Sequence, residues 1–134
     1  MTSSFLSPGT GLAVSLLVTV VLLGVVVLTG LRAMRRVHVP MVAVTVVALG
    51  ITIWYAKEVG KIYDLEPGGW VTTTHLWMAK VTTGAFVLPI ASGWRTLKHP
   101  ETRPLHRKLV VLVLTLVVVT TVLGIGMMAL AEPL

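Results

Sequence analysis

GLAVSLLVTVVLLGVVVLTGL, Gly11 to Leu31, runs for 21 residues without a charged side chain. About 20 helical residues cross the ~30 Å of hydrocarbon in a bilayer, so this run is long enough to span one. Val and Leu dominate it. Valine alone favours strand, but an open strand leaves backbone groups unsatisfied in lipid, and the length of the run decides for helix. Three more apolar segments follow: 39–56, 70–94 and 109–131. The second and fourth carry no charge, whereas the third contains His75 and Lys80.

The composition agrees. The chain has 134 residues, 55% of them hydrophobic, with a mean hydropathy of +0.92. A soluble domain is usually ~45–50% apolar even with glycine counted. The expected fold is therefore an all-α membrane protein, one domain over 1–134, with helices at 11–31, 39–56, 70–94 and 109–131. Short connections favour an antiparallel, up-down four-helix transmembrane bundle. No Lys or Arg precedes the first run, which is long for a signal core and is followed by basic residues. It is expected to remain as an anchor. Ser3, Ser4, Ser7, Pro8 and Gly9 suggest a short, loose N-terminus.

The net charge of +6 would suggest nucleic acid in a soluble protein. Here the basic residues flank apolar runs, and topology explains them better, so no nucleic-acid partner is expected. Arg32, Arg35 and Arg36 lie between the first two segments; Arg95, Lys98, Arg103, Arg107 and Lys108 lie between the last two. These are eight of the eleven Lys and Arg residues. The positive-inside rule places both connections in the cytoplasm and both termini outside. Trp54, Tyr55, Trp70 and Trp94 sit near segment ends, as interfacial aromatics do. Pro40 is expected at the start of the second helix, and Pro89 inside the third should kink it and free the carbonyl of Ala85. No internal repeat stands out.

Chemistry has few places to happen. There is no cysteine, which excludes disulfides, thiolate metal sites and covalently attached haem. No pair of carboxylates, nucleophile–base pair or phosphate-cradling loop is visible. Zinc, calcium and di-iron sites lack ligands. The third segment is the polar one: Thr72, Thr73, Thr74, His75, Lys80, Thr82, Thr83 and Gly84. An ionisable group at a helix centre costs at least ~2.5–3.5 kcal/mol and marks a functional hypothesis. Lys80 lies within ~3 Å of the expected midplane and His75 about 10 Å towards the outer face. Lys80 either snorkels towards that face, with Glu58 as its partner, or serves proton transfer or ligand binding.

Four histidines remain: His38, His75, His99 and His106. His99 belongs to the basic connection and should be solvated. Histidines on membrane helices commonly hold b-type haem through neutral imidazole, with the other ring N–H bonded to a second-shell acceptor. His38 and His106, each opening a helix at the inner face, form one candidate pair; ordinary interfacial histidines are the alternative. His75 lacks a histidine partner at its depth, and Met128 is its candidate partner. His106, Val113, Val117, Thr121, Gly124 and Met128 follow at helical spacing. Thr121, Gly124 and Met128 read equally as interface and core residues.

The stretches "THLWMA" (74–79), "VLPIASGWRTL" (87–97), "HRK" (106–108) and "TTVLGIGMM" (120–128) resemble a small bacterial membrane family known as domain of unknown function 420. Some of its members are implicated in maturing haem–copper oxidases. In that family histidines recur at the start of helix two, late in helix two, early in helix three and at the start of helix four. His38, His75 and His106 match the first, third and fourth; "WYAKEVG", Trp54 to Gly60, has none for the second. Four-helix cytochromes of the b-561 type share the general look. The resemblance implies an inner-membrane protein that assists a respiratory oxidase complex; together with the histidines this makes haem b the expected cofactor, and the expected partner is that complex or, alternatively, a second copy of the chain in a homo-oligomer. A b-type cytochrome carrying electrons from quinol, and a haem-free packing subunit, are the alternatives.

Overall fold

The structure is a computed structural model and describes residues 7–134. It is all-α apart from two two-residue strands, β1 (Tyr63–Asp64) and β2 (Glu132–Pro133). Among the described residues the five α-helices are α1 (Pro8–Leu31), α2 (Arg35–Val59), α3 (Trp70–Ala85), α4 (Val87–Lys98) and α5 (Arg103–Leu130). They divide into two compact units, one of residues up to Tyr63 with Leu134, the other Asp64–Pro133. Among the described residues three helical stretches are long and apolar enough to cross a membrane: Pro8–Leu31, Arg35–Val59 and Pro100–Leu130. This is consistent with a membrane protein.

In the first unit α1 and α2 form an antiparallel hairpin. Ser7 caps α1, its Oγ accepting from Thr10 N at 3.3 Å, and Pro8 supplies a preset φ at the helix start. Ser7, Pro8 and Gly9 thus belong to an ordered helix start rather than a loose tail; Ser3 and Ser4 lie outside the described residues. The helix closes with a left-handed residue, Ala33 at φ 54°. Met34 N donates to Thr29 O and Ala33 N to Gly30 O, satisfying carbonyls of the last turn. α2 begins at Arg35, earlier than the charge-free window, because a helix continues past the hydrocarbon wherever its backbone bonds can form. Pro40 consequently lies inside α2, where the Arg36 carbonyl loses its usual donor.

The second unit contains α3, α4 and α5. The expected third helix is interrupted at Phe86. Pro89 has no N–H for the Ala85 carbonyl, and the next bond, Ile90 N to Phe86 O, is long at 3.4 Å. The break is the expected proline effect. A 3₁₀ turn, Pro100–Thr102, leads into α5.

Burial is inverted relative to a soluble protein. Among the described residues the buried hydrophobic side chains are Val59, Val113 and Met127. Thr19, Thr29, Thr45, Thr52, Thr72 and Thr82 are buried, while Leu17, Val21, Val47, Val118 and Ile125 are exposed. In lipid, exposing Leu or Val costs nothing, and helices associate through small residues and interhelical hydrogen bonds. Thr45, Thr52 and Val59 recur every seven residues on α2; Val113, Thr120 and Met127 do so on α5. Thr19 Oγ1 meets Thr52 Oγ1 at 2.9 Å, and Thr82 Oγ1 meets Thr120 Oγ1 at 2.8 Å.

Candidate functional site

Each of the three helix-borne histidines is seated the same way. Its ring lies against a glycine of a neighbouring helix, and its Nδ1 meets a hydrogen-bond partner on that helix. In the first unit, His38 of α2 places Nδ1 3.0 Å from Val26 O, with Thr29 Oγ1 at 3.3 Å. The ring covers Gly30, where a Cβ would fall 3.0 Å from Cε1. In the second unit, His75 of α3 places Nδ1 3.0 Å from Thr120 O and covers Gly124, with 2.8 Å from a Cβ to Cε1. His106 of α5 places Nδ1 2.9 Å from Ser92 Oγ and covers Gly93 of α4, with 3.1 Å to Cε1.

This geometry fixes ring chemistry. A carbonyl only accepts, so Nδ1 of His38 and of His75 carries the proton. In a neutral imidazole the lone pair is then on Nε2, the form that ligates a metal. Neither Nε2 meets a hydrogen-bond partner among the described residues. At His106, Ser92 Oγ also reaches Pro89 O at 3.3 Å. Directing the hydroxyl proton there leaves Oγ to accept from Nδ1 and puts His106 in the same tautomer. The acceptors also share a spacing: Val26 and Thr120 each precede the seat glycine by one helical turn.

A fourth ring has the same kind of seat, and sequence reading missed it. The Tyr55 ring packs directly on Gly11, where a Cβ would overlap it, and stacks edgewise on Trp54 with centroids 4.8 Å apart. Tyr55 thus occupies a ring seat late in α2, in the stretch without a histidine. The glycines were the signal: Gly11, Gly30, Gly93 and Gly124 are those with a ring of another helix within 4 Å of an ideal Cβ.

The hairpin ends also repeat. Thr29-Gly30-Leu31-Arg32 closes α1, and Arg35-x-x-His38 opens α2. Near the end of α4 stands Ser92-Gly93-Trp94-Arg95, and Arg103-x-x-His106 opens α5. The two hairpin ends thus share one short pattern, a hydroxyl residue, Gly, x and Arg followed by Arg-x-x-His. Its two halves are separated by connectors of unequal length, because the second includes the Pro100–Thr102 turn. A search at fixed spacing passes over it.

The other expected site residues fall as follows. His38 and His106 belong to different units, each seated within its own. Met128 is half-buried one turn beyond Gly124, while its neighbour Met127 is the buried methionine. Lys80 is exposed, and its ammonium lies over the Trp77 ring at 5.2 Å, displaced towards the N-terminal end of α3. Glu58 accepts from Lys61 at 2.6 Å, three residues along the chain. His99 is exposed beside Glu101, at 3.2 Å. Among the described residues no three or more His, Cys, Asp or Glu side chains gather as a metal site. At His38 and His75 the seats offer one imidazole nitrogen each. No family model, no curated protein and no solved structure matches the chain.

Proposed function

We propose that this chain is a four-span protein of the bacterial inner membrane that handles haem b in support of a respiratory oxidase, most directly in its assembly. The fourth span in this reading is α3 with α4, continuous except at Phe86, with both termini outside and the basic connections in the cytoplasm. The Lys80 ammonium, drawn back over Trp77, suits a lysine snorkelling towards the outer face. The observation that carries the function is the shared histidine seat: Nδ1 anchored on the neighbouring helix, the ring against glycine, and Nε2 left as a ligand at His38 and His75. Single imidazoles such as His38 and His75 would suit haem iron, which a single side-chain nitrogen can hold, better than zinc or calcium, which need several ligands gathered together. Bound haem would supply the electron-accepting iron. The chain's own residues hold the imidazole orientation and tautomer and let a neighbouring backbone approach closely. The resemblance to domain of unknown function 420 points the same way.

The test is a reduced-minus-oxidised visible spectrum of the detergent-purified protein made with haem supplied. A sharp b-type α-band that disappears in His106→Ala is expected. A flat spectrum from folded protein overturns the haem reading. A second reading, a haem-free packing subunit, is favoured by the same Nδ1 bonds, since each joins two helices. It requires that His38, His75 and His106 all tolerate replacement in cells. A stably bound, reversibly reduced haem would instead favour a b-type cytochrome.

A further inference from the structure

On α3 the residues Trp70, Thr73, Trp77, Lys80 and Gly84 follow one another three or four apart, so they share one helix face, and all five are exposed. This face is unlike those of α1 and α5, which present Leu17, Val21, Val118 and Ile125. Lys80 is the one Lys, Arg, Asp or Glu within the apolar segments 11–31, 39–56, 70–94 and 109–131. Its stem turns back along the helix and brings the ammonium to 5.2 Å from the centroid of the Trp77 ring. Trp77 itself stands seven residues inward of Trp70, about 10 Å along the axis. The ammonium therefore sets out towards the outer interface and stops short of it. An ionised group at such a depth pairs with an opposite charge. Gly84 follows Lys80 by one turn, and a Cβ there would meet nothing within 4 Å. A glycine open in this way lets a second helix bring its backbone close.

We propose that this face docks a membrane-spanning helix of another protein, one that carries an aspartate or glutamate at the depth of Lys80. This rests on the reading of α3 with α4 as the fourth span, and not on haem. The charge sets the chemistry of the partner. A carboxylate accepts from the ammonium, and a charge-assisted bond of this kind is stronger in a low dielectric than in water. A second copy of this chain does not supply it. All five Asp and Glu residues, Glu58, Asp64, Glu66, Glu101 and Glu132, lie outside the apolar segments, so a copy in the same orientation brings none to this depth. The Trp77 indole holds the ammonium on the exposed face, where a helix arriving through the bilayer meets it.

The experiment measures association of the full-length chain with synthetic membrane-spanning helices in phosphatidylcholine vesicles, read by energy transfer between labels. Two Leu/Ala helices are compared, alike except for a central aspartate or asparagine. The chain is used as wild type, as Lys80→Met, which keeps the stem and loses the charge, and as Lys80→Glu. Wild type is expected to bind the aspartate helix about tenfold more tightly than Lys80→Met does, with a smaller difference for the asparagine helix. Lys80→Glu should reverse the preference and bind a helix with a central lysine instead. Circular dichroism and a monodisperse elution establish that each variant is folded. Equal binding of the aspartate helix by wild type and Lys80→Met overturns the proposal and leaves Lys80 as a snorkelling lysine. The chain has no cysteine, so Glu66→Cys and His99→Cys, each made singly, test the span on which the proposal rests. In spheroplasts an impermeant maleimide should label Glu66→Cys and not His99→Cys. Equal labelling of the two overturns the four-span reading and this proposal with it. The haem spectrum is a separate measurement, so its outcome does not decide this one.

Discussion

The imidazole of His75 lies so close to Gly124 that a Cβ there would stand 2.8 Å from Cε1. One turn earlier on the same helix, Thr120 holds α3 at two points. Its carbonyl meets His75 Nδ1 at 3.0 Å, and its hydroxyl meets Thr82 at 2.8 Å. Backbone, side chain and the missing Cβ together define where α3 runs along α5.

Alanine at the seat glycines should therefore be costly in a graded way. Gly11→Ala places a methyl group into the Tyr55 ring, and Gly124→Ala places one against His75. Each should destabilise the protein by about 1–3 kcal/mol, as overpacking does. Gly30→Ala and Gly93→Ala, with 3.0 and 3.1 Å to the nearest ring atom, need smaller shifts and should cost less. Gly24→Ala and Gly84→Ala meet nothing within 4 Å and should be neutral or slightly stabilising, since alanine is the better helix former. Equilibrium unfolding in mixed micelles measures the series. Equal effects at Gly24 and Gly124 would show that the ring contacts do not shape the packing.

The two threonine pairs should differ in strength. Each hydroxyl has one proton. Thr19 Oγ1 also reaches Ser15 O at 2.8 Å, and Thr52 Oγ1 reaches Ala48 O at 3.0 Å, so bonding to each other competes with bonding to their own helices. Thr82 and Thr120 meet no such competitor among the described hydrogen bonds. Double-mutant cycles with valine should give a coupling of about 0.6–1.7 kcal/mol for Thr82/Thr120, the range for interhelical bonds in membranes, and less for Thr19/Thr52. The reverse order would mean that the competing carbonyls do not matter.

Much of this was legible in the chain alone. Hydropathy finds the apolar segments, because lipid as solvent requires uninterrupted apolar length, and Pro89 announces its break through a missing donor. Helix ends were not legible. Arg35 and Arg103 lie outside the apolar windows, yet they start helices, because backbone bonding does not depend on side-chain hydropathy. The seats were only half legible. His38, His75 and His106 stand out as ionisable residues in apolar surroundings, but Val26, Ser92 and Thr120 become their partners only when another helix is in place. Tyr55 was passed over as an interfacial aromatic, since nothing in its own segment points to Gly11.

Ser92 tests whether the Nδ1 anchors matter to ligand binding. At His75 the acceptor is a backbone carbonyl, which substitution cannot remove. At His38 the hydroxyl of Thr29, at 3.3 Å, only supplements the Val26 carbonyl at 3.0 Å. At His106 the acceptor is a side chain, Ser92 Oγ, at 2.9 Å. Ser92→Ala leaves the ring on Gly93 but removes the oxygen that meets Nδ1. On the haem reading proposed above, affinity for haem should fall about 10–100-fold, the usual effect of losing a second-shell partner, while Thr29→Ala should cost less because the carbonyl remains. Ser92→Thr keeps an oxygen at the position and should restore most of the loss. Optical titration with ferric haem b reads all three variants. If Ser92→Ala binds as wild type does while His106→Ala does not, the Ser92 hydroxyl is not what holds the imidazole for its ligand, and it serves the helix end at Pro89.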